Sequence, residues 1–189
     1  MEDEVWAQIG NGNRDAYAQL YVFYYKRLYN YGRKFTSDTA LLEDGLQEAL
    51  MTVWTGRDRL KALRTPHTYL FNSFRFILFR KIRQAKKLSP YTDADDGEPE
   101  FGIEQVLILQ ETETAVRQRL EEALRALTGR QREAIFLRFY EGLSYEEVAD
   151  VLGISVKATY KIMARALLQL KEALSLPLLA ILVLLKDLL

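Results

Sequence analysis

The sequence contains no cysteine and only one histidine, His67. It therefore lacks the residues for disulfide bonds, thiolate metal sites, cysteine nucleophiles and multi-histidine metal sites. It also lacks a glycine-rich phosphate loop, and no set of residues suggests a catalytic constellation. The start, Met1 to Glu4, is acidic where a secretion signal is basic, and no long apolar segment follows it. We therefore expect a cytoplasmic protein that is not an enzyme and holds no cofactor or metal.

The 189 residues include enough apolar material for packed cores, since 49% of them are hydrophobic and 12% are aromatic. The 26 basic and 26 acidic residues cancel overall but are unevenly distributed. Residues 1–90 contain 15 Lys and Arg against 9 Asp and Glu, residues 91–114 contain 8 acidic and no basic residues, and residues 115–189 contain 11 basic against 9 acidic residues. Two basic segments joined by an acidic one predict two domains and a linker, with an anionic partner possible for each domain.

The acidic segment begins with residues 89–100, where prolines, a glycine and mutually repelling carboxylates disfavour a packed element. We expect a flexible acidic linker over residues 89–111. One interpretation of this linker is a solvated spacer. The other is that its carboxylates mimic nucleic acid and mask a basic surface until the real ligand arrives.

Both flanking segments have apolar residues at spacings of three and four, without the clean alternation of a strand. The predicted fold class is all-α, with two small helical domains joined by the linker. The N-terminal helical bundle spans residues 1–88, the C-terminal helix-turn-helix domain spans 112–175, and an apolar tail spans 176–189. Helices are predicted over residues 14–34, 38–55, 66–87, 112–127, 130–141, 145–152 and 156–174.

The helix predicted over residues 66–87 has two unlike faces at 100° per residue. One is an apolar stripe made of Leu70, Phe71, Phe74, Ile77, Leu78, Ile82 and Ala85. The opposite face, called here the basic-aromatic face, consists of Asn72, Arg75, Phe76, Phe79, Arg80, Arg83, Lys86 and Lys87. Cations that meet phosphates beside rings that stack on bases are typical of single-stranded nucleic-acid binding. The alternative is that the two phenylalanines pack against a neighbouring helix.

The helix predicted over residues 38–55 combines an apolar stripe with an outward face suited to protein contacts. The stripe consists of Leu42, Leu46, Ala49, Leu50 and Val53, and the outward face, called here the docking face, consists of Asp44, Gln47, Glu48, Met51 and Trp54. Exposed Met and Trp side chains beside acidic and amide groups are typical of a protein–protein contact. The alternative is that the second domain covers Trp54. Gly45 weakens the helix, which suggests that close packing requires it.

Residues 143–157 predict two helices joined by a short turn. Ser144 and Glu147 form a capping box, Gly153 ends the first helix, and Ser155 caps the second. A three-residue turn with glycine between two helices forms a helix-turn-helix. Projection of the second helix places Val156, Tyr160, Met163, Leu167 and Leu170 inward, and Lys157, Ala158, Lys161 and Arg165 outward. A row of cations suits the major groove of DNA, whereas an ordinary helical hairpin is the alternative.

The order of these surfaces resembles the RNA polymerase sigma factors of the extracytoplasmic-function (ECF) class. The most specific part of the resemblance, residues 127–149, is similar to the DNA-binding C-terminal domain of that family. Asp44, Gln47 and Glu48 match the family's D-x-x-Q-E segment. The resemblance implies a bacterial transcription-initiation factor that binds core RNA polymerase, recognises the minus-thirty-five and minus-ten promoter elements and promotes DNA melting.

The resemblance also implies a role for each surface. The D-x-x-Q-E segment would dock on a coiled coil of the largest polymerase subunit, and the basic-aromatic face would hold the melted strand of the minus-ten element. Residues 57–67 would form the loop that helps to capture a flipped base. The minus-thirty-five element would face Ser155, Lys157, Ala158, Lys161 and Arg165. The chain departs from the family pattern at two positions: Phe76 aligns near the asparagine usual in the melting helix, and Lys157 occupies the position of a usual small residue early in the recognition helix.

Two further features leave alternatives open. The apolar stretch 178–185 is too short for a membrane span, which needs about 20 residues. We expect it to pack as a latch onto a sigma domain or onto a partner such as an anti-sigma factor, with self-association as the alternative. A dimeric helix-turn-helix repressor would use this tail to dimerise, but it leaves the docking face and the basic-aromatic face unassigned.

Overall fold

The computed structural model describes residues 2–63, 65–88, 98–102, 114–177, 180, 181 and 185. The chain divides into two compact units, Met1–Pro99 and Glu100–Leu189. The regular elements in the described ranges are all helical, which confirms the all-α prediction. Most of the predicted linker, residues 89–97 and 103–111, lies outside the described part of the chain.

The first unit is built from helices that pack around an apolar centre. They are α1 (Glu2–Gly10), α2 (Arg14–Gly32), α3 (Thr39–Thr55), α4 (Arg57–Leu60) and α5 (Pro66–Leu88). The sequence pattern predicts neither α1 nor α4. Helix α1 buries Trp6 and Ile9, but a segment of nine residues is too short for its apolar spacing to predict a helix.

Polar side chains cap the N-termini of α2 and α3. The Oδ1 atom of Asn13 accepts hydrogen bonds from the backbone N–H groups of Asp15 and Ala16, at 2.9 and 3.1 Å. Asp38 accepts one from Leu41 at 3.0 Å. These acceptors satisfy amide groups that have no partner within the helix.

Helix α3 packs along α5 through the two predicted apolar stripes. All five stripe residues of α3 are buried, as are six of the seven in α5, the exception being the exposed Ala85. Gly32, at the end of α2, is sterically required because a Cβ there would overlap Leu42 and stand 2.8 Å from Cζ of Phe74. A Cβ at Gly45 would have only ordinary contacts, the nearest at 3.7 Å from Cδ of Lys81. The inference that close packing requires Gly45 is therefore wrong.

The second unit contains the helix-turn-helix. Its elements are α6 (Thr114–Arg125), α7 (Gly129–Ile135), a π-helical turn (Phe136–Tyr140), α8 (Tyr145–Leu152) and α9 (Val156–Leu174). The predicted Ser144–Glu147 capping box is present, with hydrogen bonds of 3.2 and 2.7 Å. Gly153 ends α8 in the left-handed region at φ 64°, and Ser155 caps α9. The predicted helix-turn-helix is therefore confirmed.

Residues 98–102 differ from the flexible linker that composition predicts. Pro99 and Phe101 are buried, and the Phe101 ring lies 5.6 Å from the ring of Phe136. Arg132 donates hydrogen bonds to the Phe101 carbonyl oxygen and to Glu100, both at 2.8 Å. The Phe101 side chain is buried beside Phe136, and the acidic composition of the surrounding segment does not predict this contact.

Two described residues of the apolar tail are buried. Ile181 and Leu185 are fully buried, and the backbone N–H of Ile181 donates to the carbonyl oxygen of Pro177 at 3.3 Å. This burial accords with the expected latch, whereas tail residues 178, 179, 182–184 and 186–189 lie outside the described part.

Candidate functional site

The basic-aromatic face of α5 is largely exposed. Phe76 is 64% exposed, and the exposed polar and charged members are Asn72, Arg83, Lys86 and Lys87. Arg80 is half-exposed. An exposed phenylalanine thus shares a helix with exposed amide and cationic side chains, and this combination has the chemistry to bind a single nucleic-acid strand.

Two predicted members of this face, Arg75 and Phe79, are buried. The guanidinium of Arg75 lies 4.2 Å from the ring centre of Phe79, which packs edge-on against Phe35 at 4.9 Å. Arg75 also pairs with Glu98 at 3.1 Å. The projected outward position of these two residues is therefore wrong, because Phe35 and Glu98 cover a part of α5 that its own sequence predicts to be open.

Two carboxylates of the docking face pair with cations of α5. Lys81 Nζ lies 2.5 Å from Asp44 and 3.0 Å from Glu48, and Arg80 also hydrogen-bonds Glu48. The hydrogen bond from Arg80, followed by that from Lys81, lowers the pKa of Glu48, and the hydrogen bond with Asp44 raises the pKa of Lys81. These contacts explain why a lysine occurs within the apolar arc of α5, and they make the two predicted surfaces contiguous.

The rest of the docking face is open. Gln47 is exposed, and Met51 is 62% exposed. Trp54 is half-buried within its own unit, with its ring 5.0 Å from that of Tyr17 and the Arg57 guanidinium 5.1 Å from its ring centre. Met51 is therefore the freest large apolar group of this face.

Helix α9 presents the predicted cationic row. Lys157, Lys161 and Arg165 are exposed, and Ala158 is half-buried. Ser155 accepts a hydrogen bond from the backbone N–H of Ala158 at 3.2 Å, so its hydroxyl is engaged as a helix cap. Exposed cations along the second helix of a helix-turn-helix suit the grooves and phosphates of duplex DNA.

The buried stripe of α9 is rotated from the predicted one. Its members are Thr159, Met163, Ala166, Leu170 and Leu174. The predicted inward residues Val156 and Tyr160 are instead 37% and 51% exposed. The Tyr160 ring stacks on that of Tyr145, with centroids 4.3 Å apart and planes 13° apart. The spacing within one helix does not predict this pair, because the two tyrosines are on different helices.

The described residues contain no group of three or more His, Asp or Glu side chains that could hold a metal ion. Helices long and apolar enough for a membrane span are likewise absent from the part of the chain that the structure describes. His67 is half-buried in the first turn of α5, and Arg57 to Leu60 of the predicted base-capture loop form α4.

Comparison with known proteins identifies both units. Residues 20–88 match the family model of sigma-70 region 2, and residues 117–170 match that of sigma-70 region 4. The RNA polymerase sigma factor CnrH of Cupriavidus metallidurans is 30% identical over 85% of this chain and 87% of its own length. The ECF sigma factor SigK of Mycobacterium ulcerans is 28% identical over 88% of this chain and 90% of its own length.

Solved structures agree with this assignment. The structure of CnrH in complex with the cytosolic domain of CnrY has a TM-score of 0.53 and 25% identity, covering 90% of this chain and 95% of that one. Sigma factor RpoE of Bartonella quintana, in complex with the anti-sigma factor NepR, shares the fold with a TM-score of 0.56 at 22% identity, over 84% of this chain and 96% of that one. The chain therefore belongs to the RNA polymerase sigma factors of the ECF class.

Proposed function

We propose that this sigma factor divides promoter recognition between its two units and assists DNA melting. The second unit binds the minus-thirty-five duplex through α9. The first unit docks on core polymerase through α3 and holds the melted minus-ten strand on α5. The observation that carries this proposal is the exposure of Lys157, Lys161 and Arg165 on the second helix of a helix-turn-helix in a chain that also matches sigma region 2.

Strand capture at the minus-ten element rests on Phe76. Stacking of a base on an exposed aromatic ring stabilises a protein–strand complex by about 1–3 kcal/mol, which offsets part of the free energy of unpairing. Arg83, Lys86 and Lys87 continue the positive charge along the same helix and are suited to the phosphates of that strand. Arg75 and Phe79 would serve as buried support for this surface.

Core docking rests on the open part of the docking face. Met51 offers an apolar anchor and Gln47 a hydrogen-bonding amide. Asp44 forms an ion pair with Lys81, and Glu48 forms one with Arg80. Met51→Ser should weaken core binding, whereas Leu168→Ser is the matched control because Leu168 is similarly exposed, at 55%, but lies in the other unit.

A regulatory partner of the anti-sigma class completes the proposal. The solved complex of RpoE with NepR supports such a partner, since that relative is similar over most of this chain.

The deciding experiment mixes the purified full-length chain with core RNA polymerase and measures co-elution and run-off transcription from genomic fragments. Co-elution with new discrete start sites is expected and would also yield the promoter sequence. If the chain does not bind core but binds palindromic duplex DNA, the repressor interpretation replaces the proposal. If neither core nor DNA is bound, the proposal fails.

A further inference from the structure

The tyrosine pair on the helix-turn-helix stacks two rings and leaves that of Tyr160 51% exposed. Tyr145 is the first residue of α8, and Tyr160 lies in the second turn of α9. The Arg138 guanidinium lies 5.2 Å from the ring centre of Tyr145 and donates a hydrogen bond to the Leu143 carbonyl oxygen at 2.7 Å. Tyr145 therefore contacts Arg138 of the π-helical turn and Tyr160 of α9. These contacts restrict the rotamers of both tyrosine rings.

The position of Tyr160 on α9 places it at the edge of the cationic row. At 100° per residue it lies about 60° around the helix from Lys157 and about 100° from Lys161. When a helix enters the major groove, the centre of its outward face is directed at base edges, and residues at the flank lie nearer the sugar–phosphate walls. Tyr160 is on such a flank.

The chemistry of Tyr160 suits a phosphate. Its hydroxyl is a neutral donor, and Lys157 and Lys161 of the same helix raise the local concentration of anions. A ring already immobilised by stacking loses little conformational entropy when its hydroxyl binds a ligand.

We infer that the Tyr160 hydroxyl donates a hydrogen bond to a backbone phosphate at the edge of the minus-thirty-five element, with Tyr145 as the platform that orients it. This inference rests on the proposed function, because it requires α9 to lie in the groove. The contact fixes the position of the helix on the duplex and does not read a base.

The test compares holoenzymes that contain the wild-type chain, Tyr160→Phe, Tyr145→Phe or Tyr145→Ala on a promoter duplex found by run-off transcription. Tyr160→Phe keeps the stack and loses only the hydroxyl, so duplex affinity should fall about five- to tenfold. Tyr145→Phe should bind like the wild type, and Tyr145→Ala should weaken binding by a similar five- to tenfold. Tyr140→Phe is the matched control, since Tyr140 is an exposed tyrosine of the same unit that stacks on Phe136 instead.

A second measurement locates the phosphate. Each phosphate near the minus-thirty-five element is replaced in turn by a neutral methylphosphonate. At one position, the methylphosphonate should weaken duplex binding by the wild-type chain but should not further weaken binding by Tyr160→Phe. Equal thermal unfolding of the two proteins is the check that the substitution leaves the fold intact.

Three results would overturn the inference. If Tyr160→Phe binds the duplex as tightly as the wild type, the hydroxyl makes no phosphate contact. If Tyr160→Phe changes the sequence preference at one base pair, the hydroxyl contacts a base instead. Loss of core binding by Tyr160→Phe would make the tyrosine pair a protein contact. If the wild-type chain fails to direct initiation at all, the proposed function itself falls, so the two failures are distinguishable.

Discussion

Arg75 of α5 and Glu98, from the acidic segment that follows it, form an ion pair at 3.1 Å. The interpretation that acidic residues of the linker mask a basic surface stays a prediction, and this pair provides a way to test it. Glu98 neutralises the one arginine of the basic-aromatic face that is nearly buried, with 11% of its side chain exposed. Removal of the Glu98 charge would leave the positive charge of Arg75 less neutralised and make the electrostatic potential near this face more positive.

Glu98→Gln should therefore strengthen binding of a single-stranded minus-ten oligonucleotide about two- to fivefold at low salt and make the binding more salt-dependent. Fluorescence anisotropy against salt concentration measures both effects. Glu100→Gln removes the same charge two residues away, but Glu100 pairs with Arg132 of the second unit. An equal gain in affinity in this control would show that the effect comes from the change in overall charge and not from the Arg75–Glu98 pair.

Truncation of Phe76 should affect strand binding, whereas truncation of Phe79 should affect the stability of the fold. Phe76→Ala should lower affinity for the melted minus-ten strand by about 1–3 kcal/mol and leave stability near that of the wild type, because the ring is exposed. Phe79→Ala should instead destabilise the fold by about 3–5 kcal/mol, since it empties a buried site against Phe35. Strand-binding and denaturant titrations separate the two effects, and intact strand binding by Phe76→Ala would refute the stacking role.

Two glycines of the first unit provide a stability test of the packing. Gly32→Ala should lower the free energy of unfolding by about 1–3 kcal/mol, because the added methyl group overlaps Leu42. Gly45→Ala should raise it by about 0.5–1 kcal/mol, since alanine favours the helix and the methyl group has room. Urea unfolding measures both, and a destabilised Gly45→Ala would show that α3 and α5 pack more closely than described.

Lys161 on α9 should contact the phosphate backbone. Lys161→Ala should weaken binding of the minus-thirty-five duplex and reduce the magnitude of the slope of log affinity against log salt by about 1. Lys171→Ala is the control, because it removes an exposed lysine from the last turn of the same helix. An unaltered slope for Lys161→Ala would show that this lysine points away from DNA.

Lys34 should make stability depend on pH. Burial, reinforced by the neighbouring charge of Arg33, lowers the pKa of Lys34 from 10.5 to about 8. Between these values the unfolded chain retains the proton and the folded chain does not, so this residue makes stability rise with pH from about 8 to 10.5. Lys34→Met should be more stable than the wild type at pH 7, and the difference should narrow over that window. Unfolding measured from pH 7 to 10.5 checks this, with the exposed Lys26→Met as the control for loss of a charge.

The amino-acid sequence by itself determined the features that depend on local interactions. The capping residues Asn13, Asp38, Ser144 and Ser155 and the turn glycine Gly153 act within a few residues of chain. The apolar stripes of α3 and α5 each repeat over about three turns or more, so their faces were predictable from spacing. These local signals were sufficient for the all-α fold, the helix-turn-helix and most of the candidate surfaces.

Only the tertiary structure decided which outward residues remain exposed. Arg75 and Phe79 are covered by Phe35 and Glu98, Asp44 and Glu48 pair with cations of α5, and Tyr160 is held outside the core by Tyr145. Each of these contacts joins residues that are distant in the chain or on different helices. A helical projection considers one helix alone, and therefore cannot include the neighbour that buries, neutralises or orients its side chains.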